Sequence, residues 1–143
     1  TVGLRYFNVY GPRQSPDSKY SAVIPTWIKA LKNNELCTIH GDGTAYRDFT
    51  YVTDVVDANL LAASYETDND IFNIGTGRFT ILNDVLVHSM HILGIDKDSV
   101  KVKRDFANPP KVIGSIANID KAKHFLGYEP KVNIREGLEN LLL

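Results

Sequence analysis

The amino-acid sequence predicts an α/β fold built on a mostly parallel sheet. Runs rich in valine, isoleucine and aromatic residues alternate along the whole chain with runs whose apolar residues recur at helical spacing. Glycine and proline separate these runs, and no linker, repeat or low-complexity tract divides the 143 residues. Because alternating strands and helices pack as helices against a parallel sheet, we expect one α/β unit of single-domain size.

The first strand is predicted over residues 2–10, which are rich in Val, Tyr, Phe and Leu and are followed by Gly11 and Pro12. The chain opens inside this run without a methionine, so we expect it to be part of a longer protein. Asn8 lies near the carboxyl end of the strand, where ligands bind in α/β sheets. The alternative is that its amide bonds the backbone of its own turn. A polar loop is expected from residue 13 to 21.

A helix is predicted from about residue 22 to 32, with Pro25 in its first turn, where a missing N–H costs nothing. Its apolar residues recur at helical spacing and are Val23, Ile24, Trp27, Ile28 and Leu31. We interpret Trp27 as a core residue rather than a platform for a ligand. A strand follows over residues 36–40, and inside it Cys37 is read as a small buried hydrophobe rather than as a nucleophile.

The most informative stretch begins at the Gly41-Asp42-Gly43 turn and continues to the start of the next helix. Glycine permits positive φ and close approach to a ligand, and Arg47 is a planar cation suited to a phosphate or a carboxylate. The alternative is a hairpin turn that carries a surface ion pair between Arg47 and Asp48. We expect the ring of His40 to flank a ligand, because local spacing ties no nucleophile or carboxylate to it for acid–base chemistry.

The second half continues the alternation. A helix runs to residue 63 with Thr53 or Asp54 as its N-cap. The next strand ends at Gly75-Thr76-Gly77, which lacks the third glycine of a dinucleotide fingerprint. The remaining predicted elements are a helix over 82–93 capped by Thr80, a strand over 99–106, and helices over 121–126 (capped by Gly127) and 134–143.

The composition excludes several classes of protein. Sixteen basic and 17 acidic residues nearly cancel, so no footprint for nucleic acid or an anionic membrane is visible. No apolar run approaches the length of a membrane span. The single cysteine excludes an internal disulfide and fits a reducing, cytoplasmic location. We therefore expect a cytoplasmic protein without nucleic-acid or membrane partners and without a metal site.

Six motifs occur in order along the chain. They are LRYFNVYGPR (4–13), AVIP (22–25), GDG followed by RDF (41–49), YVTDV (51–55), FNIGTG (72–77) and KHFLGYEP (123–130). Together they resemble the carboxyl-terminal half of the extended short-chain dehydrogenase/reductase family. The resemblance is strongest to its nucleotide-sugar 4-epimerase branch, which acts on UDP-glucose and UDP-N-acetylglucosamine. It covers nearly the whole chain.

The resemblance implies a Rossmann-type fold. Residues 1–143 would form a single fragment that holds the last strands of the NAD-binding fold and a small nucleotide-sugar-binding subdomain. It implies NAD as cofactor of the parent protein, with Tyr6 and Phe7 near the nicotinamide. The implied partners are a UDP-sugar, the missing amino-terminal half and a second copy of the parent in a homodimer.

The resemblance also implies roles for the residues that would bind the UDP-sugar. Asn8 would hydrogen-bond the sugar diphosphate, and Arg47 would clamp the diphosphate. The backbone at Val23 and Ile24 would help hold the nucleotide at a helix start. The residues that would flank the uracil are Thr38, Ile39 and His40.

The chain departs from the family pattern in three places. Residues 108–112 (NPPKV) replace an Arg-x-Gly-Asp-Val run, which removes a second phosphate-binding arginine. Arg104 or Lys111 is the nearest replacement for that charge. Phe49 stands where some members carry tyrosine. The glycine-rich NAD loop, the Ser/Thr and the Tyr-x-x-x-Lys pair of the family do not occur in residues 1–143.

We therefore expect the UDP-sugar-binding half of an NAD-dependent 4-epimerase, with no catalytic residue in this chain and no activity alone. One alternative is a fragment of a nucleotide-sugar 4,6-dehydratase or a UDP-glucuronate decarboxylase. A second alternative is a non-catalytic nucleotide-binding module.

Overall fold

A computed structural model describes residues 1–17, 22–67 and 69–143. The loop predicted over residues 13–21 therefore lies partly outside the described residues. The strands are β1 (Val2–Tyr6), β2 (Val9–Tyr10), β3 (Cys37–His40), β4 (Tyr46–Arg47), β5 (Thr50–Tyr51), β6 (Asp70–Ile74), β7 (Thr80–Ile81), β8 (Val102–Asp105) and β9 (Gly114–Ser115). The helices are α1 (Val23–Lys32), α2 (Val52–Ala63), α3 (Leu82–Ile92), α4 (Asp120–Leu126) and α5 (Ile134–Leu142), with a 3-10 turn at Lys97–Ser99.

The strand pairing is mostly parallel, which confirms the predicted class. β1 pairs with β6, β2 with β5 and β3 with β8, each in parallel. β4 lies between β9, in parallel, and β7, the antiparallel exception. Within the described residues the strands form four small sheets rather than one continuous sheet.

The first predicted strand is wrong in its extent, because residues 2–10 form two strands. The break falls at Asn8, whose backbone has a φ of +35°. This left-handed conformation turns the chain. As a result β1 pairs with β6, whereas β2 pairs with β5.

The predicted caps of α2 and α3 are also wrong. Tyr51, not Thr53 or Asp54, precedes α2, and Ile81 rather than Thr80 precedes α3; neither helix has a side-chain cap. The physical reason is that β5 and β7 run directly into these helices. The residues at the helix starts are therefore held in the extended conformation by strand pairing.

Most other elements follow the prediction. α1 begins one residue later than expected, and Trp27 is buried. α4 ends at Gly127, whose φ of +65° is the conformation a helix C-cap favours. The strand over 99–106 is shorter than predicted, because the 3-10 turn takes up residues 97–99.

The core consists of two clusters of buried side chains. The first core lies among α1, α3 and α5 and includes Tyr10, Trp27, Phe49 and Leu138. The second core joins β1 and β6 to α2 and α4, and its buried residues include Phe72, Ala58, Ala122 and Tyr128. None of the described helices has the length and apolar character needed to cross a membrane.

Candidate functional site

A cavity of about 210 Å³ collects four of the residues that the sequence predicts to bind a ligand: Asn8, Val23, Ile24 and Arg47. β1 and β2 flank Asn8, α1 begins at Val23, and β4 ends at Arg47. The remaining lining residues are Val9, Tyr10, Ala22, Phe49 and Leu82. Arg47 is the only charged side chain among these nine, so the cavity offers one cation within a mainly apolar wall.

The guanidinium of Arg47 is half-buried and bonded to backbone carbonyls. Nη1 donates to the carbonyl of Tyr46 at 2.7 Å and to that of Ile113 at 3.3 Å, and Nη2 donates to that of Val112 at 2.8 Å. A guanidinium has five N–H donors. Two of them thus remain without a partner among the described residues. All three bonds reach neutral acceptors, and among the described residues no carboxylate forms an ion pair with Arg47.

Asn8 uses its side chain in a way that neither sequence interpretation anticipated. Its Nδ2 donates to the carbonyl of Asp48 at 3.0 Å, which is not part of its own turn. Its own carbonyl accepts from the amide of Thr50 at 3.3 Å. The side chain is exposed at the cavity, where Oδ1 remains as an acceptor.

Thr38, Ile39, His40 and Arg104 form a second group on the paired strands β3 and β8, where Ile39 lies opposite Arg104. None of the four lines the cavity with Arg47. The carbonyl of Thr38 accepts from Nε1 of Trp27 at 2.9 Å, and Ile39 is buried. The structure therefore joins these residues to one another and to α1.

The ring of His40 is exposed, and its contacts with Asn108 and Asp105 are both made through Nδ1. Its Nδ1 lies 3.1 Å from the carbonyl of Asn108 and 3.6 Å from the carboxylate of Asp105. A hydrogen bond to a carbonyl requires the proton on Nδ1, which leaves Nε2 as an acceptor that faces outward in the neutral ring. A hydrogen bond from Asn108 holds the pKa of the Asp105 carboxyl below its usual range, with a smaller contribution from His40.

Arg104 is tied to the glycine turn that precedes β4. Its Nη1 donates to the carbonyl of Asp42. The hydroxyl of Thr44 donates to the Asp42 carboxylate at 2.7 Å and lowers the pKa of that carboxyl. Gly41 and Gly43 have φ of +75° and +80°, as the sequence predicts for a tight turn. Arg104 thus places a positive charge at this turn.

Tyr6 and Phe7 lie at the carboxyl end of β1. The hydroxyl of Tyr6 donates to Oδ1 of Asn59 on α2 at 3.0 Å, and its ring is half-exposed. The amide of Phe7 donates to the carbonyl of Ile74 at 2.9 Å. Tyr6 thus links the end of β1 to α2, and Phe7 continues the pairing with β6.

Sequence reasoning missed Asp48, which is fully buried. Its carboxylate accepts from the amide and hydroxyl of Thr76, at 2.8 and 2.6 Å, and from the amides of Gly77 and Ala117, at 2.9 and 3.1 Å. The alternative of a surface ion pair between Arg47 and Asp48 is therefore wrong. The only local signal for burial was the position of this aspartate inside the aromatic run of residues 46–51.

Two further expectations concern reactive side chains. Cys37 is fully buried, and burial raises the pKa of its thiol, as befits a small hydrophobe. In the part of the chain that the structure describes, no group of three or more His, Cys, Asp and Glu side chains is placed to hold a metal ion.

Comparison with known proteins adds a family context to this geometry. A family model described as the NAD dependent epimerase/dehydratase family matches residues 1–75. A putative UDP-glucose 4-epimerase from Methanocaldococcus jannaschii is 36% identical over 139 residues, which cover 97% of this chain and 43% of that protein.

Solved structures give the same result. A UDP-glucose 4-epimerase from Thermotoga maritima, crystallised with UDP-glucose, has a TM-score of 0.87 and 42% identity and covers 99% of this chain and 44% of its own. A second match is a UDP-glucuronic acid 4-epimerase from Bacillus cereus in complex with UDP-glucuronic acid and NAD, with a TM-score of 0.84 and 33% identity. The match covers 95% of this chain and 42% of that protein. The chain thus spans somewhat over two-fifths of the length of each of these proteins.

Proposed function

This chain belongs to the NAD dependent epimerase/dehydratase family, and from that premise we propose that it is the UDP-sugar-binding part of an NAD-dependent UDP-sugar 4-epimerase, an isomerase. In this proposal β1 and β6 are the last strands of the NAD-binding fold, and the rest of residues 1–143 forms the nucleotide-sugar-binding subdomain. The observation that carries the proposal is the cavity where Asn8, Val23, Ile24 and Arg47 meet around one cation.

Arg47 is the residue that binds the diphosphate. Its two remaining N–H donors already favour an anion, and charge-assisted bonds to phosphate are stronger than its present bonds to neutral carbonyls. We therefore expect the bonds to Val112 and Ile113 to be exchanged for phosphate oxygens when ligand binds. Asn8 remains fixed by its bond to Asp48, the second N–H of Nδ2 donates to the diphosphate, and Oδ1 accepts from a sugar hydroxyl.

The group on β3 and β8 holds the base. We expect Thr38 and Ile39 to flank the uracil from β3, where the carbonyl of Thr38 is already bonded to Trp27, and we expect the exposed ring of His40 to lie beside the base. Arg104 supplies positive charge at the glycine turn in place of the arginine that the family carries in the region of residues 108–112.

The family uses NAD, which when bound accepts a hydride from the sugar and returns it. Tyr6 and Phe7 are the residues of this chain that would contact its nicotinamide end. The other residues bind and orient the nucleotide sugar, so that the chemistry depends on a partner half. We propose that this half docks along the free edge of β1, that the parent is a cytoplasmic homodimer, and that residues 1–143 are inactive alone.

The family description names dehydratases beside epimerases. A nucleotide-sugar 4,6-dehydratase is therefore the second candidate for the parent reaction. Both candidates share the same binding role for this chain, and we expect most of the residues that distinguish the reactions to lie outside it.

The test is a titration of the 143-residue chain with UDP, followed by ¹H–¹⁵N NMR. We expect shifts at residues that line the cavity, such as Asn8, Val23 and Leu82, and we expect Arg47→Ala to abolish them. The matched control is Arg78→Ala, because Arg78 is exposed and does not line this cavity. No response in the wild-type chain, or an equal response in Arg47→Ala, would contradict the proposal.

A further inference from the structure

We propose that Asp48 is a positioning residue of the nucleotide-sugar site. Its buried carboxylate fixes the junction from which the side chains of Arg47 and Asn8 face the cavity. The identity of the ligand rests on the function proposed above, whereas the positioning itself can be observed without ligand.

Four donors saturate the carboxylate. Oδ1 accepts from the amide and the hydroxyl of Thr76, and Oδ2 accepts from the amides of Gly77 and Ala117. All four donors are neutral, and Asp48 is fully buried. A buried carboxylate is tolerated only when its hydrogen bonds are made. The carboxylate therefore joins β4 to the turn after β6 and to the segment after β9.

The backbone of Asp48 extends this junction to the site. Its amide donates to the carbonyl of Ser115 at 3.0 Å, and its carbonyl accepts from Nδ2 of Asn8 at 3.0 Å. Arg47 directly precedes it in the chain, and neighbouring side chains of an extended segment point to opposite faces. Fixing Asp48 inward therefore directs Arg47 outward, to the cavity.

The junction has no room to rearrange. A Cβ atom on Gly75 would come within 2.7 Å of Oδ2 of Asp48 and within 2.5 Å of Cβ of Ala117. The turn after β6 therefore lies directly against the carboxylate.

A second buried carboxylate shows what a purely structural role looks like. Asp54 is 1% exposed and accepts from the amides of Lys131 and Val132, at 3.0 and 3.2 Å. Neither of these partners lines the cavity that contains Arg47. Asp54 thus matches Asp48 in burial and charge but lacks its connection to the site.

The experiment compares Asp48→Asn with Asp54→Asn in the 143-residue chain. The first readout needs no ligand: it is the rate at which the N–H protons of the Arg47 guanidinium exchange with water, measured by NMR. The second readout is the dissociation constant for UDP. We expect Asp48→Asn to accelerate the exchange and to weaken UDP binding about tenfold. We expect Asp54→Asn to lower only the melting temperature.

A double-mutant cycle separates positioning from general destabilisation. In an Arg47→Lys background, we expect Asp48→Asn to cause a smaller loss of UDP affinity than in the wild-type chain, because only the positioning of Asn8 remains to be lost. Thr76→Val removes one of the four hydrogen bonds to the Asp48 carboxylate. It replaces Asp48→Asn in the experiment if that variant does not fold. We expect it to weaken UDP binding about threefold.

Equal behaviour of Asp48→Asn and Asp54→Asn in both readouts would overturn the positioning role. An unchanged guanidinium exchange in a folded Asp48→Asn chain would also overturn it. If the wild-type chain does not bind UDP, the proposed function fails on its own. The exchange measurement still decides the role of Asp48 in that case.

Discussion

The two cores of this protein differ in how completely they are enclosed. The first core is surrounded by α1, α3 and α5, and its residues Tyr10, Ile24 and Phe49 form one wall of the 210 Å³ cavity. In the second core, α2 packs on β1 and α4 packs on β6. Ile71 of β6 is half-exposed, and within the described residues β1 has no second strand neighbour.

This difference indicates which part of the protein needs a further cover. Parallel sheets are almost always covered on both faces, and two strands alone are marginally stable. The β1–β6 region therefore has the form of a surface that the proposed partner half would cover. The cavity that contains Arg47, in contrast, lies against the first core.

The largest expected effect comes from a matched pair of leucines. Leu138 is fully buried in the first core, whereas Leu60 on α2 is 65% exposed. We expect Leu138→Ala to lower the free energy of unfolding by about 2 to 5 kcal/mol, because it leaves a cavity. Leu60→Ala should change it by less than about 0.5 kcal/mol. Urea unfolding measures both, and similar losses would contradict the contrast between the two regions.

A smaller effect is expected from two surface carboxylates, one beside each region. Asp70 is bonded by Lys121 of α4, and Asp105 by Asn108; these bonds lower the pKa of each carboxyl. A lowered pKa in the folded state stabilises the protein above the ordinary aspartate range. The stabilisation is lost as the pH falls from that range through the lowered pKa of the folded state.

The partners of these carboxylates predict different responses to salt. The bond from Lys121 to Asp70 joins two opposite charges and is screened by ions. The donor of the bond to Asp105 is the neutral side-chain amide of Asn108. Asp70→Asn removes the part of the stability that is lost in acid because of the bond from Lys121. We expect this part to shrink in 0.5 M salt. The part that Asp105→Asn removes should shrink less, because the charge of His40 makes only the smaller contribution there. Thermal melts between pH 3 and 6 test this, and equal salt dependence would count against the assigned partners.

The sequence was sufficient to predict the helices whose apolar residues recur at helical spacing or whose end is marked by glycine. The apolar spacing of Ile24, Trp27 and Leu31 located α1 to within a residue, and Gly127 located the end of α4. The two-residue strands carry no period, so they were not predicted. They are also the reason why the caps at Thr53 and Thr80 were wrong, since extended residues run straight into α2 and α3.

The candidate site was predictable only where the motifs name residues. The order of Asn8, Val23 and Arg47 along the chain predicted that they belong to one site, and the cavity brings them together. The role of Asp48 was not predictable, because its partners Thr76 and Ala117 lie 28 and 69 residues further along the chain. The spacing of neighbouring residues in the sequence does not predict contacts over such distances along the chain.

The most direct test of binding without chemistry is saturation-transfer difference NMR on the 143-residue chain with NAD and UDP-galactose. Binding at the cavity predicts saturation transfer to the uracil and ribose protons. The absence of the family's Tyr-x-x-x-Lys pair from residues 1–143 predicts that no signal from UDP-glucose appears with time. Sustained formation of UDP-glucose, or no saturation transfer at all, would contradict the proposed role.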